Sequence, residues 1–313
     1  MARQSKAHFL SRFFLAGFTP EGTEDGFLWA TSKTTNRKWR ARAGELAHVR
    51  DLFRIEGDGL EPEEIELAFA AVEAEVAPVL KSVMRSNVLP QGKDLDLLLH
   101  IVALNASRPP GEIAEVERHV DENLRRLIVE RATPEQHERI LQEWKAEGRD
   151  TTHIEDLDAL KGRILAGHIR AVMPRDHVLV RGVLGRASLL VDLLGRRYWT
   201  LLVAPEGVHF ICSDRPVNLL NNINLPPGTD AKYTDHRFDV VAPLSMRLCL
   251  IGHAGGADRT APASERTVGF INHITDTGAT DYVYSADDER HMSVESAFGR
   301  ENGEAYRRDV RPQ

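Results

Sequence analysis

The spacing of apolar residues divides the chain into regions of different period. In EPEEIELAFAAVEAEVAPVLKSVM, from residue 61, apolar side chains recur at Ile65, Leu67, Phe69, Val72, Val76, Val79, Leu80 and Val83. That is close to a 3.6-residue period and predicts a helix. Pro62 with its acidic neighbours suits the first turn, and Pro78 is expected to kink the helix. The stretch DLDLLLHIVALNAS, 94–107, is apolar nearly all round. It predicts a central, buried helix, closed by Arg108-Pro109-Pro110. Residues 111–130, 133–148 and 155–172 also read as helical, the first two as charged surface helices. Thr133-Pro134-Glu135-Gln136 is a helix-start signature: a threonine cap, a first-turn proline and a glutamine three residues on. A further apolar helix is expected over 177–196, interrupted by Gly182 and Gly185.

Either side of this helical region the texture differs. AHFLSRFFLAGF, 7–18, reads as mostly helical, ending at Thr19-Pro20-Glu21-Gly22. FLWATSK, 27–33, and RKWRARA, from Arg37, predict a β-hairpin turning at Thr34-Thr35-Asn36, with Asn36 suited to positive φ. YWTLLVAP and VHFICS, 198–205 and 208–213, predict a second hairpin across Glu206-Gly207, and FDVVAPLS and MRLCLIGH, 238–253, two more strands. Residues 268–285 read as a helix on that sheet, 221–236 and 254–266 as loops, and the polar residues from about 286 as a frayed tail. The expected fold class is α+β: a central helical bundle (about 60–197) packed on a small N-terminal β-hairpin and a C-terminal antiparallel sheet. The expected domain is 1–290, with a polar tail over 291–313.

Composition narrows the class. The 313 residues are 42% hydrophobic and 28% charged, ordinary for a globular chain able to bury a sizeable core. No apolar run is long enough to span a membrane. His8, Ser11 and Arg12 interrupt the apolar N-terminus, and no small-residue cleavage site follows, so a signal peptide is not expected. Cys212 and Cys249 sit in apolar strand-like runs and read as reduced, buried thiols of a cytoplasmic protein. The net charge of −7 disfavours a broad basic nucleic-acid-binding surface. The densest basic stretch, KTTNRKWRAR (33–42), reads first as a solvated hairpin tip and second as a phosphate-binding patch.

Several side chains could carry chemistry. The apolar run Val208–Cys212 stops at Ser213-Asp214-Arg215-Pro216, good turn chemistry, and a strand end is also where a fixed carboxylate meets a cleft. Glu66 and Glu73 lie two helical turns apart on one face. Arg108, ending the next helix, is the natural partner for a half-buried glutamate, or an anion clamp. His100 could share that face of Arg108's helix. His8 is either a core histidine or a general base titrating near neutrality. No glycine-rich phosphate loop, dinucleotide fingerprint, Gly-x-Ser-x-Gly elbow or His-Glu-x-x-His motif occurs. An ATP-dependent or nicotinamide enzyme is therefore not expected.

The order of the short motifs resembles a known family. His8-Phe9-Leu10 leading to Leu15 and Phe18-Thr19 comes first, then the Trp29 strand, the spaced Glu66 and Glu73, Arg108-Pro109, Ser213-Asp214-x-Pro216, and Pro243-Leu244-Ser245. This resembles the bacterial and fungal family "domain of unknown function 4238", over almost the whole chain. This chain has His8-Phe9-Leu10-Ser11 where members usually begin His-Tyr-Val-Pro. The resemblance implies no settled activity.

Two functions stay open. In the first, a hydrolase or transferase acts on an anionic, phosphate-bearing substrate, a nucleotide or RNA end, in a cleft between helices and sheet. His8, Glu66, Glu73 and Asp214 would be catalytic there, and Arg108, Ser213 and Arg215 would bind substrate, with no cofactor evident and a divalent metal allowed. The second is a non-catalytic binding or regulatory module, compatible with a defence-associated role, in which these side chains brace the fold. The expected partner in either case is a small anionic or nucleic-acid-derived ligand, with no membrane.

Overall fold

The computed structural model describes residues 6–55, 61, 63–151, 156–170, 178–221, 232–288 and 300–311. Its N-terminal part comprises β1 (Lys6–His8), α1 (Arg12–Ala16), β2 (Phe27–Ser32), β3 (Lys38–Arg42), a 3-10 turn (Ala43–Glu45) and β4 (His48–Arg50). The helical region follows: α2 (Glu64–Ser86), α3 (Lys93–Asn105), α4 (Pro110–Arg131), α5 (Pro134–Ala146), α6 (Leu157–Leu165), a π-helical stretch (Val178–Leu184) and α7 (Gly185–Leu194). The C-terminal part holds β5 (Tyr198–Val203), β6 (Cys212–Ser213), β7 (Asn218–Asn221), β8 (Phe238–Pro243), β9 (Leu248–His253), β10 (Arg259–Pro262), α8 (Glu265–Gly278), β11 (Tyr282–Ser285) and α9 (Arg300–Val310). The fold is α+β.

The helical periods are realised. Ile65, Phe69, Val76, Leu80 and Val83 are the buried stripe of α2, with Pro78 inside the helix. Most of α3 from Leu98 onward is buried, and it packs between α2 and α7. Thr133 and Gln136 form the reciprocal cap of α5. The expected Pro62 start of α2 lies outside the described residues, as do parts of the 155–172 and 177–196 stretches and of the 221–236 loop.

Five strands, in the order β10-β5-β9-β8-β7, make the main sheet. One face packs Trp199, Leu201, Val240, Ala242, Leu248 and Leu250 into the core shared with the helices. The other packs Leu202, Val241, Cys249 and Ile251 under α8 and α9. Burial on both faces explains why β8 and β9 are buried at every position and show no alternation.

Four expectations are corrected here. First, β5 and β6 do not form a hairpin: β5 is already flanked by β9 and β10, and β6 joins a second sheet. Second, the loop over 254–266 contains β10, which pairs in parallel with β5. Third, the helix read over 268–285 stops at Gly278, and Tyr282–Ser285 is a central strand of the second sheet, β3-β2-β11-β6. Fourth, residues 7–18 give β1 and a single helical turn's worth of α1 instead of one helix, because β1 pairs antiparallel with β4.

The polar tail also differs from expectation. Over Arg300–Val310 it forms α9, with Ala305, Tyr306 and Val310 buried against the main sheet and α8. Asp239, fully buried on β8, accepts hydrogen bonds from Arg311 (2.8 Å) and from the Tyr306 hydroxyl (3.2 Å). Asp309 accepts from Ser264 N–H, Ser264 Oγ and Thr267 Oγ1 at 2.6–2.8 Å, placing negative charge at the start of α8. A sequence so polar still docks because its few apolar residues share one face and its charges meet buried partners.

Candidate functional site

The residues singled out in the sequence separate into two groups with a pocket between them. The first gathers at the end of α3. The Pro109-Pro110 pair stops α3 and starts α4, and this fixes Arg108 in the turn. Arg108 is 4% exposed. Its guanidinium lies over Phe69 (4.4 Å) and Phe53 (5.5 Å), pairs with the Glu73 carboxylate, and donates to the His8 carbonyl at 2.5 Å. Ser11 Oγ donates to the same Glu73 oxygen at 2.7 Å. Burial pulls the Arg108 guanidinium below its ordinary value, opposed by Glu73 and then Glu66. Glu66 is therefore an electrostatic neighbour, one turn pair along α2. His100 bonds the Asp96 carbonyl of its own helix instead.

His8 presents its backbone, not its ring, to Arg108. Its Nε2 lies 3.1 Å from the Gly44 carbonyl, and its ring faces His48, its cross-strand partner, with centroids 5.5 Å apart. Burial lowers the His8 imidazole. A neutral ring whose Nε2 donates to a carbonyl holds β1 to the 3-10 turn.

The second group follows β6. Asp214 is 7% exposed. Its Oδ1 accepts from Thr280 N–H (2.8 Å), and its Oδ2 from Asp281 N–H (2.8 Å) and Tyr282 N–H (3.1 Å). Its own N–H donates to the Tyr282 carbonyl at 2.9 Å. The carboxylate thus ties the end of β6 to the entry of β11. Ser213 Oγ accepts from Arg215 N–H at 3.2 Å. Arg215 pairs with Glu112, a buried residue in the first turn of α4, and Glu112 also pairs with Arg186 at 2.7 Å. The two thiols are buried, and burial pushes both up, which keeps them protonated and unreactive.

Between the groups lies a cavity of about 450 Å³. Its walls are Trp39 and Tyr282, in edge contact at 6.0 Å, with Phe9 and His48 from the β1–β4 ribbon. Its polar lining is Glu45, Asp214, Thr280 and Asp281, and Pro110 and Gly111 bring the N-terminus of α4 to it. Asp281 accepts from Thr34 N–H (2.9 Å) and Ser32 Oγ (3.0 Å), and the first of these bonds holds its carboxyl below the ordinary value. Among the described residues that line the cavity there is no lysine or arginine. Of the expected site residues Asp214 lines it, while His8, Glu66, Glu73, Arg108, Ser213 and Arg215 do not.

Tyr282 and Asp281 escaped the sequence analysis because their stretch was read as helix. The run DYVYS, aromatic and β-branched between turn residues, carries a strand signal that would have found them.

Among the described residues no group of three or more His, Cys, Asp or Glu is placed to hold a metal ion, and no helix is long and apolar enough to cross a membrane. A family model described as "Protein of unknown function (DUF4238)" matches residues 6–289. Neither the curated proteins nor the solved structures contain a match to this chain.

Proposed function

We propose, for a chain that belongs to the DUF4238 family, that it is a binding module whose aromatic cavity takes a planar, uncharged molecule rich in hydrogen-bond donors, with a nucleoside as the best-fitting class. One observation carries this reading. The cations suited to clamping a phosphate, Arg108 and Arg215, are committed to Glu73 and Glu112, and the cavity lining holds aromatic rings and three carboxylates but no lysine or arginine. Trp39 and Tyr282 supply faces for stacking. Asp281 and Glu45 supply acceptors for ring N–H and exocyclic amino groups. The cavity volume is in the range of small-molecule sites.

In this reading Arg108, Glu73, Ser11 and Asp214 are braces. They fix the α3–α4 turn and the β6–β11 junction, and so hold the two sides of the cavity. A hydrolase or transferase acting on an anionic substrate is the second reading. It draws on the place of Asp214 in the cavity lining. There the carboxylate would act as a base through the lone-pair site left on Oδ1, since its other sites accept three backbone N–H groups.

Titration calorimetry with adenosine, guanosine, cytidine and uridine, and with their monophosphates, tests the proposal. Nucleosides are expected to bind, at least one of them more tightly than its monophosphate, and Trp39→Ala to abolish binding in a folded protein. Binding of monophosphates alone, unchanged in Trp39→Ala, would overturn it.

A further inference from the structure

The basic stretch 33–42 holds five cations and no acid, yet they are not on the hairpin tip. The tip is Thr34–Asn36, and three of the cations, Lys38, Arg40 and Arg42, alternate along β3. Cross-strand pairing sets Arg42 opposite Phe27, Arg40 opposite Trp29 and Lys38 opposite Thr31. Paired residues share a face. One face of the β2–β3 hairpin is therefore an aromatic floor under a row of cations. The opposite face carries Leu28, Ala30 and Trp39 towards the core and the cavity.

The cations are unequally committed. Lys33 donates to the Asp276 and Ala279 carbonyls at the end of α8, and Lys38 pairs with Asp288. Arg42 is 3.9 Å from Asp25, whose side chain is 92% exposed. Arg37 and Arg40 have no carboxylate partner among the described residues; their guanidinium groups lie over Trp39 (5.7 Å) and Phe27 (4.6 Å). Charge on β3 also guards an edge strand against pairing with other chains, which accounts for cations there. It does not account for Phe27, an aromatic ring left 37% exposed beneath them.

We propose that this face of the β2–β3 hairpin binds single-stranded nucleic acid. Phosphates would meet Arg40 and Arg42, and an unstacked base would lie on Phe27 beside the guanidinium planes. An exposed ring on this face selects single strands, because bases in a duplex already stack on each other. From Lys38 to Arg42 the strand spans about 13 Å, room for about two or three phosphates. Binding is then modest, and its logarithm falls with the logarithm of salt with a slope of about −1.4 to −2. Because this face is opposite the cavity, the proposal does not rest on nucleoside binding there.

The test is fluorescence anisotropy of short labelled oligouridylate and oligothymidylate with the full chain, across a salt series. Binding with that shallow slope is expected, and little binding to the matching duplex. Arg40→Glu should weaken binding at least about tenfold, and Phe27→Ala at least about fivefold. Both side chains are exposed, so both variants should melt like the wild type, and Arg40→Glu should leave nucleoside affinity in the cavity unchanged. Four results would overturn the proposal: no binding at low salt, unchanged affinity in both folded variants, equal affinity for duplex, or binding to anionic vesicles without binding to oligonucleotides.

Discussion

Asp214 shows how one side chain can end a strand and start another. It accepts three backbone N–H bonds while 7% exposed, so its removal strands buried donors on the 280–282 segment. Asp214→Ala is expected to cost about 3 kcal/mol or more in urea unfolding, and Asp214→Asn, which keeps one acceptor oxygen, clearly less. Arg108 is bound by the same logic. Arg108→Ala leaves Glu73 beside an emptied aromatic slot and is expected to cost about 3–5 kcal/mol. His253 adds a pH dependence. Its Nδ1 faces the Gly255 carbonyl at 2.7 Å and so carries the proton, which leaves Nε2 to accept from Thr200 Oγ1 at 3.0 Å. Burial lowers this imidazole below its ordinary value. The unfolded chain therefore binds a proton more readily near pH 6.5, and the contribution of a neutral His253 is full above that pH. It is lost as pH falls through the lowered folded value. Melting temperatures followed from pH 7.5 to 5.5 should fall, and fall less in His253→Gln; equal falls would refute this role.

At the scale of elements, helices were legible in the sequence and strand partners were not. The stripe of α2 and the capped start of α5 rest on contacts three or four residues apart, which a local pattern encodes. The pairing of β11 with β2 joins residues about 250 apart, and β5 finds β10 in parallel across β9's hairpin. Nothing local marks such partners. The misread α9 has a related cause: its anchor, Asp239, lies on β8, far away in the chain. Arg311→Ala should therefore destabilise the protein by about 3 kcal/mol although Arg311 lies just past the last turn of α9. In β9 the tightest fit is at Gly252, where an added Cβ would lie 2.6 Å from the Trp199 ring. Gly252→Ala is expected to cost about 1–3 kcal/mol, read from denaturant unfolding.

For the whole molecule, the candidate site was half legible. The Arg108–Glu73 pairing follows from a half-buried glutamate on one helix and an arginine closing the next. The division of the polar residues into two braces flanking a cavity does not, because it depends on which sheet each strand joins. In the proposed function these residues hold the cavity together and do not clamp its ligand. Melting of Arg108→Ala and wild type, each with and without the nucleoside that binds best, tests it most directly. The variant is expected to melt lower, by roughly 5–10 °C, with the nucleoside still raising its melting temperature as it does in wild type. A variant that melts like the wild type but no longer responds to ligand would contradict it, and would make Arg108 a ligand-binding residue.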